Sequence, residues 1–364
     1  MNHRHIIFVL DQLKGIGWNT IKKCVDYFDN LTDMLHVEER ELQRIGLKSD
    51  QIVIIKDNLN EPFLQQKISE YNIHNIHVVT YFDEQYPSLL KEIDTPPWVL
   101  YCKGDLKYLK MNGLAVVGTR NCTTYGKVVA ERLSSQIAAH GYAVVSGLAK
   151  GVDKIAHAAA LKEGATIAVV ATGLDMVYPS EHTLLAKEIA NHGLILSEYP
   201  IGTKAHRGLF PKRNRIIAGL SLGTLVIEAA QKSGSLITAD HAAEYSRDVF
   251  AVPGQIYAKQ SQGTMELIKQ GAKLVTGIED ILAEYENIPS KANTVPEKVQ
   301  EKQRVLLNED EQKISTLIGK NITSIDYIIE HTKMEFGHLH TILLSLLMKN
   351  KIKQLPGSMY ILVD

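Results

Sequence analysis

The run Leu114–Ser146, LAVVGTRNCTTYGKVVAERLSSQIAAHGYAVVS, decides the fold. It opens on a short apolar strand, Leu114–Val117, and closes on another, Ala143–Ser146. Between them lies a helical stretch of about 124–139, ended by Gly141. A strand covered on both faces reads as a continuous apolar run rather than an alternation, and two such strands joined by a helix form a parallel crossover unit. The rhythm repeats downstream, with strands at Ile167–Ala171, Leu194–Ser197, Leu225–Glu228 and Val249–Val252 and helices at 152–162, 182–191, 234–246 and 263–270. The expected fold class is therefore α/β: an extended Rossmann-like, mostly parallel sheet with helices on both faces. Such sheets hold ligands at the carboxyl ends of their strands. The unusual loops of this chain fall there.

Outward from this core, residues 1–70 read as a small helical domain, with apolar residues at helical spacing in Ile21, Val25 and Phe28 and again in Ile52, Ile55 and Leu59. Leu13-Lys14-Gly15-Ile16-Gly17 resembles the turn of a helix-hairpin-helix, where glycines let a helix N-terminus approach phosphate. A tight turn inside a helical domain explains it as well, and is preferred. Residues 73–111 carry two extended stretches, Ile76–Tyr81 and Trp98–Cys102, separated by Tyr86-Pro87 and Pro96-Pro97. They are expected to extend the sheet as a lead-in, giving a 71–285 domain. Residues 286–304, ENIPSKANTVPEKVQEKQR, read as a polar linker. The tail, 305–364, shows helices near 309–318, 323–331 and 336–350, then Ile352–Leu355, Pro356-Gly357 and Met359–Val363: a winged helix.

Lys plus Arg number 40 against 41 Asp plus Glu, so the chain has no general coat of positive charge. A local basic groove remains compatible with that sum. The three cysteines, Cys24, Cys102 and Cys122, lack metal-ligand or CxxC spacing and read as free thiols of a reducing compartment. The N-terminus lacks the pattern of a signal peptide, and no stretch approaches the length of a membrane span. A cytoplasmic protein is expected.

Four loops carry chemistry. Gly118-Thr119-Arg120-Asn121 follows the first parallel strand and offers backbone N–H groups, a hydroxyl and a guanidinium to phosphate oxygens. The next glycine is Gly126, so this is not GxGxxG, and a dinucleotide cofactor is disfavoured. Ser146-Gly147-Leu148-Ala149-Lys150-Gly151 turns into a helix, with Gly147 and Lys150 as candidate phosphate contacts. Asp153 and His157 stand at i and i+4 on that helix; lacking a third ligand, they read as a local hydrogen bond rather than a metal site. Lys204-Ala205-His206-Arg207-Gly208-Leu209-Phe210-Pro211-Lys212-Arg213-Asn214-Arg215 carries five cationic side chains and no acid. Phe210 within it suits stacking on a base, the composition of a platform for a single nucleic-acid strand. The alternative puts Phe210 in the core and the charges on a solvated face. Finally, Gly234 and Ser235 open a helix, while Glu228 ends a buried strand. Glu228 reads as a brace for a cationic loop such as 213–215, or else as a catalytic base.

The segments VVGTR at 116–120, SGLAKGVDKIAHAAAL at 146–161, FPKRNRIIAGLS at 210–221 and EAAQKSGSLITA at 228–239, in this order, resemble the DprA/Smf family of DNA-processing proteins. Tyr86-Pro87-Ser88-Leu89-Leu90 and Pro96-Pro97 fit its lead-in. The resemblance covers nearly the whole chain and is weakest in the tail. It implies a recombination mediator of natural transformation, which binds and protects incoming single-stranded DNA, loads the RecA recombinase and acts as a homodimer without catalysis, cofactor or metal. It further implies that Gly118, Thr119 and Arg120 line a phosphate pocket, that Arg207 and Gly208 contact the DNA backbone, and that Phe210 stacks on a base. Lys204, Lys212, Arg213 and Arg215 shape or supply the positive groove, and Gly234 and Ser235 complete the pocket. Thr119 stands where serine is common in the family; the hydroxyl is kept. His338 and Lys349 lie on the third helix of the tail, which is not strongly basic, so duplex recognition is not implied.

Two other readings stand beside this one. GTLVIE at 223–228 looks like the end of the motif of nucleotide phosphoribohydrolases, although the paired glycines before it are replaced here by Gly219-Leu220-Ser221-Leu222. A non-enzymatic nucleotide sensor, reporting through the winged helix, is the second.

Overall fold

The computed structural model describes residues 1–286, 307–319, 322–349, 351–355 and 357–362. The chain divides into two compact units, Met1–Thr294 and Val295–Asp364. The expected linker at 286–304 lies, apart from Glu286, outside the described residues.

The first unit is built on a nine-stranded sheet. Its strands are β1 (His77–Thr80), β2 (Val99–Gly104), β3 (Gly113–Val117), β4 (Ala143–Ser146), β5 (Thr166–Val170), β6 (Leu194–Ser197), β7 (Ser221–Val226), β8 (Asp248–Ala251) and β9 (Lys273–Leu274). They lie in the order β1-β2-β6-β5-β4-β3-β7-β8-β9. From β6 to β9 every pairing is parallel, whereas β1–β2 and β2–β6 are antiparallel. The lead-in thus extends the sheet, as its proline-bounded strands suggested. All five residues of β3, the four of β4 and the five of β5 are buried, consistent with a sheet covered on both faces. The helix Thr124–Ala139 packs on one side together with Val152–Glu163, and Leu209–Gly219 packs on the other with Gly234–Glu244.

The N-terminal helices, among them His3–Gln12, Trp18–Tyr27, Ser49–Asn58 and Glu61–Ile73, are not walled off from this sheet. One hydrophobic cluster runs from Ile6, Phe8 and Leu64 through Tyr71 to Tyr101, Ala168 and Ile195. Stacked Tyr71 and Tyr101 rings, 5.0 Å apart, sit at the seam. Gln12 donates to the Tyr101 hydroxyl, and Tyr101 in turn donates to Asp11. Burial raises the Asp11 carboxyl to about 7. No gap in the core therefore marks residue 70, and residues 1–70 fold as part of the sheet unit. The glycine turn is a tight turn: Gly15 has φ +96°, its carbonyl accepts from Gln51, and Trp18 beyond it stacks on Trp98.

In the second unit the helices Glu309–Ile318, Ile325–Thr332 and Phe336–Met348 pack with a three-stranded sheet of β10 (Thr323–Ser324), β12 (Met359–Leu362) and β11 (Ile352–Leu355). This is the expected winged helix; Pro356 and Val363 lie outside the described residues. Lys349 is not an open cation on its third helix, because its ammonium sits 2.7 Å from both oxygens of Glu311. The Lys349 and Ser345 bonds hold the Glu311 carboxyl down at about 2. No helix among the described residues is long and apolar enough to cross a membrane.

Candidate nucleic-acid interface

The loops leaving β3 to β8 at their carboxyl ends surround a cleft of about 1000 Å³. Gly118, Thr119 and Arg120 are part of its lining. The turn there is fixed by backbone bonds: the Thr119 N–H donates to the Glu228 carbonyl at 2.7 Å, and the Thr119 carbonyl accepts from Val152 N–H at 3.2 Å. Gly151, with φ +78°, makes that approach possible, since a Cβ there would fall 2.3 Å from the Thr119 carbonyl oxygen. The fixed turn sends the exposed Arg120 side chain toward Phe210, with its guanidinium carbon 5.9 Å from the ring centre.

The helix Leu209–Gly219 starts with Pro211 in its first turn, where a missing N–H costs nothing. Phe210, Arg213, Asn214 and Ile217, at i, i+3, i+4 and i+7, turn one face of it to the cleft. Phe210 is half-buried, neither core nor free, and its ring lies 5.5 Å from that of Tyr178. Asn214 ties this helix to the next by donating to the Gly234 carbonyl at 3.1 Å. Ser233 caps the helix Gly234–Glu244, whose first turn, with Gly234 and Ser235, opens on the cleft. The helix dipole favours an anion at such an end, although Ser233 already accepts the Ser235 and Leu236 N–H groups.

Arg213 is only 4% exposed. Its guanidinium donates to the Val169 carbonyl and lies directly under Gly147, where an added Cβ would fall 2.0 Å from Nη1. Burial lowers its pKa to about 10, with Asp153 nearby opposing the shift, so it stays charged at neutral pH. Asp153 accepts the N–H groups of Gly147 and Ala149 at 3.2 and 3.3 Å. Burial raises its carboxyl, against the pull of Arg213. Arg213 and Asp153 are therefore a buried support beneath the phosphate-loop candidate, with the arginine edge reaching the cleft wall.

Several expected contacts are placed elsewhere. Gly147 is buried and its N–H is taken by Asp153, so it carries the loop rather than meeting a ligand. Lys150 is paired with Glu181 at 2.8 Å. Arg215 turns away from the cleft into a largely buried ion pair with Glu198. Lys204, Gly208 and Lys212 are exposed but do not line the cleft. Glu228 does not brace 213–215. Its carboxylate, 3% exposed, accepts the Thr123 N–H at 3.0 Å and the Thr123 hydroxyl. Thr123 caps the helix Thr124–Ala139, so Glu228 holds the far end of the 118–123 loop. Nor do Asp153 and His157 act on each other. The His157 ring bonds Thr166 at 2.7 Å, and burial lowers its pKa to about 3, which keeps it neutral.

The cleft also brings in residues that the sequence pattern did not single out: Tyr178, Asn214, Lys232, Lys259 and Gln262. With Arg120, Arg207 and Arg213, the two lysines give the lining five cations against one carboxylate, the buried Asp153. A signal for the lysines was present, because no acid occurs between Glu228 and Asp240 or between Asp248 and Glu266. Among the described residues, no group of three or more His, Cys, Asp and Glu side chains is placed to hold a metal ion.

The sequence of the sheet unit matches the family model for DNA recombination-mediator protein A over residues 77–286, and the tail matches the DprA winged helix domain over 298–358. The chain belongs to the DprA/Smf family. It is 35% identical to the Smf protein of Synechocystis, with 96% of each chain covered. Among DprA structures, that of the Streptococcus pneumoniae protein superposes with a TM-score of 0.70 at 37% identity, covering 78% of this chain and 99% of that one. A DprA structure from Helicobacter pylori, reported for its single-stranded DNA binding mode, gives a TM-score of 0.54 at 34% identity, over 58% of this chain and 96% of that one.

Proposed function

We propose that this DprA/Smf chain binds single-stranded DNA in the cleft at the carboxyl edge of its sheet, protects it and loads RecA onto it during natural transformation. The observation that carries the reading is the pairing of cations with aromatics around one cleft: Arg120 over Phe210, Phe210 beside Tyr178, and Arg207, Lys232 and Lys259 around them. Cations track the phosphates of a strand, while rings accept its bases without reading their sequence. Gly118, Thr119, Gly234 and Ser235 supply the small surfaces and polar groups that let a phosphate come close. The chain acts without catalysis, cofactor or metal, as a homodimer in the cytoplasm, and the reading assigns no duplex recognition to the winged helix.

Glu228 favours this reading over a nucleotide hydrolase, since both of its carboxylate oxygens are engaged by Thr123. The test is binding of a dT oligonucleotide against duplex and mononucleotide competitors, followed by assembly of RecA filaments on the bound strand. Preference for the oligonucleotide and faster filament assembly are expected. Tight binding of one mononucleotide without preference for oligonucleotides points instead to a sensor, and release of free base from nucleoside monophosphates to an enzyme.

A further inference from the structure

The loop after β8, Pro253-Gly254-Gln255-Ile256-Tyr257-Ala258-Lys259, has an unusual surface. Tyr257 is 92% exposed and its neighbour Ile256 69%. Isolated apolar side chains at a surface need no explanation, but these two adjoin a cationic cleft and sit on a loop that is firmly held. Tyr125 donates to the Pro253 carbonyl at 2.9 Å, Ala229 N–H to the Gln260 carbonyl at 2.7 Å, and Gly263 N–H to the Ala229 carbonyl at 2.7 Å. The loop is thus pinned on both sides to the segments that build the cleft, and the Tyr257 ring is held out into solvent.

Sheet order tells where that ring stands. The strands run β3-β7-β8, so the loop after β8 lies two strand spacings, about 10 Å, from the loop that carries Arg120. Lys232, from the loop after β7, and Lys259, two residues beyond Tyr257, line the cleft in between. A strand that stacks on Phe210 and passes Arg120 meets these two lysines next, then an exposed aromatic ring. The alternation of cation and ring that marks the first part of the cleft is repeated there.

Resting on the single-strand reading above, we propose that Tyr257 is a second base-stacking station, with Lys232 and Lys259 guiding the phosphates between it and the Phe210 station. The site then takes a strand of several nucleotides that crosses the carboxyl edge of the sheet from β6 toward β8. Full-length protein with dT oligonucleotides of about 4 and about 20 nucleotides, read by fluorescence anisotropy, tests this. Tyr257→Ala is expected to weaken binding of the longer oligonucleotide by roughly 5- to 150-fold, the share of one stacked base. The shorter one should bind as to wild type, and Tyr257→Phe should keep full affinity for both. Phe210→Ala should weaken both lengths; if it weakens neither, the single-strand reading itself fails. If Phe210→Ala weakens both but Tyr257→Ala leaves the longer oligonucleotide unaffected, the second station alone is overturned. It is overturned equally if Tyr257→Ala changes only the sedimentation of the protein, which would assign this loop to contact with a second copy.

Discussion

Replacing Glu228 by glutamine separates the two roles that this buried carboxylate invites. It bonds the Thr123 N–H at 3.0 Å and the Thr123 hydroxyl, and Thr123 accepts the Gly126 N–H at 3.0 Å to cap a sixteen-residue helix. Glutamine has the same shape but no charge; its oxygen can keep the Thr123 N–H, while its NH₂ faces the Thr123 hydroxyl, whose proton then loses its acceptor. A hydrogen bond to a charged acceptor contributes about 1.5–3 kcal/mol, so the variant should lose about 2 kcal/mol. For a unit of this size that lowers Tm by about 3–4 °C. The 118–123 loop is then less firmly held, and Arg120 with it. Single-strand affinity should fall while the slope of log K against log salt stays that of wild type, because no phosphate contact has been removed. Calorimetry and salt-dependent anisotropy read both effects. Unchanged Tm together with loss of a nucleotide-hydrolysing activity present in wild type would refute the reasoning and restore Glu228 as a catalytic base.

Other perturbations have equally definite outcomes. Arg215→Ala should cost about 1.5–3 kcal/mol in urea unfolding, because it leaves the largely buried Glu198 without its cation, yet leave the salt slope of DNA binding alone; a slope reduced by a phosphate's share would place Arg215 in the groove after all. Gly147→Ala pushes a methyl into the Arg213 guanidinium and should destabilise by about 1–3 kcal/mol, seen as a lower urea midpoint. In the winged helix, the Glu311 carboxyl should titrate near 2 by carbon NMR, against an ordinary 4.5. Since the folded state depresses this pKa, its contribution to stability is complete above about 4.5 and fades as pH falls toward 2. A midpoint above 4 would dissolve the proposed Lys349–Glu311 lock.

Most of the fold could be read from local pattern because burial on both faces leaves continuous apolar runs. Ala143–Ser146 and Leu194–Ser197 fall where expected, and the helix over 124–139 is bounded by a Thr123 cap and Gly141. The site was less legible. Its cationic segment was visible, but composition cannot say which charges face a ligand. Arg215 finds Glu198 across seventeen residues of sequence, a pairing that only the packing of the helix Leu209–Gly219 on the sheet creates. The burial of Arg213 did leave a trace: with Ile216, Ile217 and Leu220 it stands at i, i+3, i+4 and i+7, the inward face of an amphipathic helix. Tyr178 and Lys259 belong to loops with no phosphate-like motif, and they join the site only because sheet order brings their strands' ends together. The fusion of the N-terminal helices with the sheet likewise depends on side chains distant in sequence, Asp11 and Gln12 meeting Tyr101.

The central claim, that one cleft holds phosphates with cations and bases with rings, is tested most directly by the salt dependence of dT binding in wild type, Arg120→Ala and Phe210→Ala. Arg120→Ala should flatten the log–log slope by about 0.7, one phosphate's share on a single strand. Phe210→Ala should cost roughly 1–3 kcal/mol at every salt concentration while leaving the slope unchanged. Two variants that bind with the affinity and slope of wild type would contradict the account and move the strand to another surface.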